Sequence, residues 1–207
     1  MKYLQLVCLL FLIASCNDQN KPRAVTQPGK DSGIVRKEPS NPFAAADISP
    51  MDISYFPVDY TVKKMSGATT KDPVARVIYS RPHRGGRSIF GSLLKYGEAW
   101  RLGANESTEI ELFQPITIQN KNIPAGRYIM YCIPYQDKWT IIFNSNIYTW
   151  GLKHQSEKDV HKFDVPVQKP PTSIEYFTMV FEKTTNGADL IMTWDEVLVR
   201  LPMNFTY

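Results

Sequence analysis

Between residues 81 and 107 four arginines (81, 84, 87 and 101) share one stretch with Trp100, Asn105 and Glu106, in the segments "SRPHRGGRSIFG" and "YGEAWRLGANEST". These residue types recognise more readily than they react. A guanidinium presents a planar fork of donors suited to carboxylate, sulfate or phosphate, asparagine pairs with hydroxyls or amides, and the ring of Trp100 or Tyr96 can stack on a sugar or another flat ligand. Arg81, Arg87, Trp100, Arg101, Asn105 and Glu106 are therefore the candidate ligand-binding residues. The ligand they suit is a small polar or anionic molecule or a carbohydrate.

The same residues also have a structural use. A long loop without strand hydrogen bonds leaves carbonyls to satisfy, and arginines paired with Glu98, Glu106 or Glu175 can pin it. Gly103 and Asn105 tolerate positive φ where the chain turns, and Trp100 can plug the core. The binding reading requires Arg87, Arg101 and Glu106 to line one open pocket with donors to spare.

Other chemistries find less material. His83, His154 and His161 fall in three segments with no shared face and no cysteine pair beside them, so neither a metal site nor a cofactor is expected. There is no G-x-S-x-G elbow, and "RGGRS" (84–88) lacks the lysine spacing of a phosphate loop. The enzymatic alternative is a hydrolase of a sugar or ester, using Glu106 or Glu98 with Glu175 or Asp159; it needs two carboxylates facing one cleft, roughly 5 to 9.5 Å apart. In a purely structural envelope protein, every one of these charges would be internally paired.

The elements that must position this segment read as strands. "ARVIYS" (75–80), "TEIELF" (108–113), "ITI" (116–118), "RYIMYCI" (127–133), "WTIIFN" (139–144), "FDVPV" (163–167), "SIEYFTMVF" (173–181), "ADLIMTW" (188–194) and "VLVRL" (197–201) are short, β-branched or aromatic, and mostly alternating. Turn residues separate them at 119–126, 134–138, 183–187 and 195–196. This predicts an all-β, antiparallel sandwich or jelly-roll-like domain over 48–207. Residues 81–107 are its one long strandless interval, expected to lie over one sheet or one end of the sandwich, with a helical turn or two in "SLLKYGEAW" ended by Gly97. "SEKDV" (156–160) is the one other helical candidate after residue 108.

The first residues carry an address. Lys2 precedes the apolar run "LVCLLFLIA" (6–14), long enough for a signal-peptide core but short of the ~20 residues that span a bilayer. It ends in "IASC", which resembles the bacterial lipobox and makes 1–16 a lipoprotein signal peptide with Cys16 the lipid attachment site. By resemblance to sorting rules, Asn17 after that cysteine favours the outer membrane of a Gram-negative envelope. Cys132 is then the one remaining thiol, so no intramolecular disulfide forms; its place in an alternating apolar stretch predicts a buried, inert side chain. Residues 17–47 are rich in Pro, Gly, Lys, Asp, Asn and Gln and read as a flexible linker with a reach of ~30 Å, enough to hold the domain clear of the headgroups. Lys and Arg number 24 against 20 Asp and Glu, without a basic block, which disfavours nucleic acid as a partner. The expected partners are the membrane, through the lipid, and a small ligand or another envelope protein.

Taken together, "YSRP" (79–82), "GRSIFG" (86–91), "YGEAWRLGANEST" (96–108), "IPAGRY" (123–128), "WTIIFN" (139–144), "WG" (150–151), "EYF" (175–177) and Trp194 resemble the envelope family DUF2911, a domain of unknown function, over nearly all of 49–202. Lys95 and "LKHQSE" (152–157) depart from the pattern. The resemblance implies a β-rich envelope domain and no particular activity.

Overall fold

The structure, a computed structural model, describes residues 47–206. The expected signal peptide, Cys16 and all but the last residue of the expected linker lie outside the described residues. Eleven strands and one short helix follow in order: β1 (Met51–Phe56), α1 (Tyr60–Met65), β2 (Ala75–Ser80), β3 (Thr108–Leu112), β4 (Ile116–Ile118), β5 (Lys121–Ile123), β6 (Gly126–Pro134), β7 (Lys138–Asn144), β8 (Asp159–Pro166), β9 (Ile174–Thr184), β10 (Gly187–Asp195) and β11 (Val197–Asn204). One antiparallel sheet runs β1-β2-β3-β6-β7-β8 and the other β5-β4-β11-β10-β9. This is the expected all-β sandwich.

Alternation explains the layering. In β3 the burial runs buried–intermediate–buried, with Thr108, Ile110 and Leu112 inward, and in β10 Leu190, Met192 and Trp194 turn inward. The two inward faces interdigitate around Trp139, Phe143, Phe163, Phe177, Met179 and Leu201. Cys132 is free and fully buried among them, and burial pushes its thiol far above the ordinary value, as expected of an inert side chain.

Three details differ from the sequence reading. β1 was not expected as a strand, because its alternation is inverted: Met51 and Ile53 face solvent at the sheet edge while Asp52 and Ser54 are partly covered. Residues 121–123, read as part of one long turn, pair back on β4 as β5, because Gln119 (φ 47°) and Asn120 (φ 62°) both adopt the left-handed conformation that closes a tight two-residue hairpin. The stretch 92–100 forms consecutive turns rather than a helix, Leu94 N–H donating to Ile89 O (2.8 Å) and Gly97 N–H to Pro134 O (2.9 Å), so its donors are drawn to partners outside a helical ladder. "SEKDV" yields one 3-10 turn, Ser156–Lys158, before β8 begins.

Candidate functional site

Residues 81–107 cross the domain from one sheet to the other. At their start the backbone lies along β9, the edge of the second sheet: Phe177 N–H donates to Pro82 O (2.9 Å) and Arg84 N–H to Glu175 O (2.7 Å). At their end Trp100 exchanges both backbone hydrogen bonds with Cys132 of β6 (2.7 and 2.9 Å). Ile89 between these anchors, Trp100 itself and Leu102 just beyond it enter the core. The segment is thus part of the sandwich, and its polar side chains divide between the two anchors.

Arg81 belongs wholly to the first anchor. It pairs with Asp52 (3.2 Å) and donates to Phe177 O and to Thr178 Oγ1 (both 3.4 Å), so it ties β1 to β9 and does not line the cavity described below. Arg84 is similarly consumed by Asp195 (2.9 Å), Ser173 Oγ (3.0 Å) and the Glu175 carboxylate (3.7 Å). Asn105, at φ 58°, donates to Asp47 Oδ2 (2.6 Å) and clasps the point where the described chain begins. These three serve as pins.

Arg87 and Arg101 take another course and converge on a cavity of about 500 Å³. Its lining includes Ile48, His83, Leu93, Lys95, Glu98, Trp100, Gly151, Leu152, His154 and Trp194. Arg87 spends Nε on Arg84 O (2.8 Å) and one Nη2 hydrogen on His83 O (2.6 Å), which leaves its remaining donors for the cavity. Arg101 spends nothing: its Nε is buried without a hydrogen-bond partner, and it makes no ion pair among the described residues. Burial lowers its pKa, and the attraction of Glu106 only partly offsets that. Glu106 itself is exposed and does not line the cavity, so the expected trio does not assemble. Among the described residues Glu98 is the one carboxylate lining it, facing three cations. The resulting field favours an anion.

Trp100 lies in the wall without offering a face. It stacks on Trp194 (5.8 Å), meets Phe177 (4.9 Å) and Trp139 (5.6 Å) edge-on, and donates Nε1–H to Gly103 O (3.1 Å). Tyr96 rests against Gly91 and does not line the cavity. Stacking on a sugar ring therefore has no platform from these two residues.

The part of the lining from 151 to 154 was not assigned to the site by sequence reasoning. His154 stacks flat on Tyr131 (4.1 Å, 10°), whose hydroxyl donates to Asp159. Asp159 also accepts from Asn144 Nδ2 (2.8 Å) and pairs with Lys162 (3.1 Å). Burial alone would raise the Asp159 carboxyl; the hydrogen bonds from Asn144, Tyr131 and Lys162 outweigh it and hold the group below the usual carboxylate range. His154 is shifted down, first by burial, with Arg101 adding to the shift and Asp159 opposing it, so it favours the neutral state. Gly151 makes room for Arg101: a Cβ there would meet Arg101 Cδ at 2.5 Å. The "WG" pair was the one available signal, and some fifty intervening residues conceal its partner.

Metal and acid–base readings gain no geometry here. Among the described residues no group of three His, Cys, Asp or Glu side chains is placed to hold a metal ion, and His161 lies by Tyr128 and Phe163, apart from the cavity lining. Of the carboxylates weighed for hydrolysis, Glu98 lines the cavity; Glu106, Glu175 and Asp159 do not.

No curated protein and no solved structure matches the chain. Residues 61–203, more than half of the sequence, match the family described as protein of unknown function (DUF2911), and the chain belongs to that family.

Proposed function

We propose that this protein is an outer-membrane lipoprotein, anchored through Cys16, whose sandwich binds a small anionic ligand in the cavity between residues 82–104 and 151–154. The observation that carries the reading is Arg101, a guanidinium in the cavity wall with a buried, unpartnered Nε. A buried donor of a cation without an acceptor is costly, and an incoming carboxylate or phosphate removes that cost. Arg87 and Lys95 add charge of the same sign. Anchoring rests on the lipobox-like "IASC" and the apolar run before it; among the described residues no helix is long and apolar enough to cross a membrane. The hydrolase alternative has weaker support, since Glu98 lacks a second carboxylate in the lining.

A thermal-shift series tests the reading, with inorganic phosphate, sulfate, acetate and neutral sugars on the wild type and on Arg101→Gln. At a hundredfold excess over Kd a bound ligand adds about 2.7 kcal/mol, a rise of several degrees in Tm. The expected outcome is a rise with anions in the wild type alone. An equal response of both proteins, or none to any anion, overturns it.

A further inference from the structure

Exposed apolar side chains stand among the charged ones that line the cavity. Ile48 (76% exposed), Leu93 (49%) and Leu152 (63%) all line the cavity while facing solvent, and the loop carrying Leu152 also presents Tyr148 (90%) and Trp150 (59%). The loop is not a loose strand end. Ser107 Oγ–H donates to Thr149 O (3.1 Å), Thr149 Oγ1–H to Lys153 O (2.7 Å), and Lys153 N–H to Trp150 O (3.0 Å), so a closed turn holds these side chains outward. Apolar groups fixed in water around a cavity mark an interaction surface. Tyrosine and tryptophan with flanking lysines, here Lys95 and Lys153, suit the headgroup layer of a bilayer.

The route of the chain points the same way. Asp47 accepts from Asn105 Nδ2 and from Ser49 N–H (2.8 Å), and the next two residues, Ile48 and Ser49, line the cavity. The described chain therefore begins beside the cavity, and a lipid carried by Cys16 upstream would draw that end toward the membrane. A second apolar patch, Val58, Val62 and Met65, is not part of the cavity lining, and its Lys63 is already paired with Asp59 (2.9 Å).

We propose that the cavity mouth docks on an anionic bilayer, with Tyr148, Trp150 and Leu152 in the headgroup layer and the phosphate of a phospholipid headgroup reaching Arg101. The proposal rests on the anion-site reading and names the source of the anion. The linker then serves to let the domain fold back onto its own membrane.

Of the four tryptophans, Trp100, Trp139 and Trp194 are buried, so Trp150 reports contact by itself. The chain from Asn17 onward, unacylated and carrying the whole described domain, is mixed with phosphatidylcholine vesicles with or without phosphatidylglycerol, some containing brominated lipid as quencher. Co-sedimentation and tryptophan emission are then measured. The expected result is roughly tenfold preference for phosphatidylglycerol vesicles, with quenching of Trp150. The pair Tyr148→Ala and Trp150→Ala, neither of them in the cavity lining, abolishes docking but keeps the thermal shift with inorganic phosphate, Arg101→Gln loses both that shift and the headgroup preference, and Val62→Ala with Met65→Ala changes neither. Equal or no binding to the two vesicle types, binding without quenching, or loss of docking in the Val62 and Met65 variant overturns the proposal. A phosphate shift in that case leaves the anion site standing; its absence removes both.

Discussion

Arg84 and Arg101 sit toward opposite ends of one strandless segment, in opposite circumstances. Arg84 lies against the β9 edge, where Asp195 and Ser173 accept its Nη1 donor, and even its Nε, which has no hydrogen bond, is 3.7 Å from the Glu175 carboxylate. Arg101 lies against the loop of Gly151, where no acceptor among the described residues reaches it. A guanidinium with most of its donors spent holds the fold, and one whose buried Nε–H has no partner keeps that donor free for an acceptor. The contrast separates support from candidate site inside a segment of uniform composition.

The comparison breaks most visibly at the residue joining the two ends. Trp100→Ala removes a ring packed on Phe90, Trp139, Phe177 and Trp194, and should cost about 3–5 kcal/mol, read as a lower midpoint in urea. A smaller loss would mean that the segment lies on the core rather than within it.

The arginines themselves give the sharper test. Arg84→Ala leaves the mostly buried Asp195 carboxylate short of its cation and should destabilise by about 1–3 kcal/mol. Arg101→Gln should leave the midpoint within about 0.5 kcal/mol of wild type, or raise it, because a buried donor without a partner is removed. Equal losses in the two variants would erase the distinction between pin and site.

The smallest effect concerns pH. His154 has a folded-state pKa below its ordinary 6.5, so the unfolded chain binds its proton more readily; stability is full above 6.5 and declines as pH falls from 6.5 through the folded value. Asp159 is also held below its ordinary 3.8: its contribution is present above 3.8 and is lost as pH falls through the lower folded value. Midpoints measured from pH 8 to 3 should show the first decline in wild type and a smaller one in His154→Gln, the remainder coming from His161, which burial and Lys121 also shift down. An unchanged slope in that variant would remove His154 from the account.

Much of the framework is legible in local sequence, because strand period, turn residues and inward alternation are properties of neighbours along the chain. β2 and β4 fall where alternation puts them, Cys132 is buried as its apolar setting predicts, and 81–107 holds no strand of its own. β1 escaped because its apolar residues face outward at an edge, and β5 because its pairing depends on two left-handed residues just before it.

The candidate site was legible only in half. Arg87 and Arg101 were singled out and do converge, whereas Arg81, Asn105 and Glu106, equally suited by type, are directed elsewhere by Asp52, Asp47 and solvent. Composition determined that guanidinium groups would gather in one stretch, since residue type and spacing are written in the chain. Only the tertiary structure decided which of them would meet a carboxylate: each neighbour comes from a distant element, the acceptors Glu175 and Asp195 arriving at Arg84 while Gly151 and His154, which accept nothing from it, arrive at Arg101, and hydrogen bonds reach a few ångströms regardless of the residues that intervene.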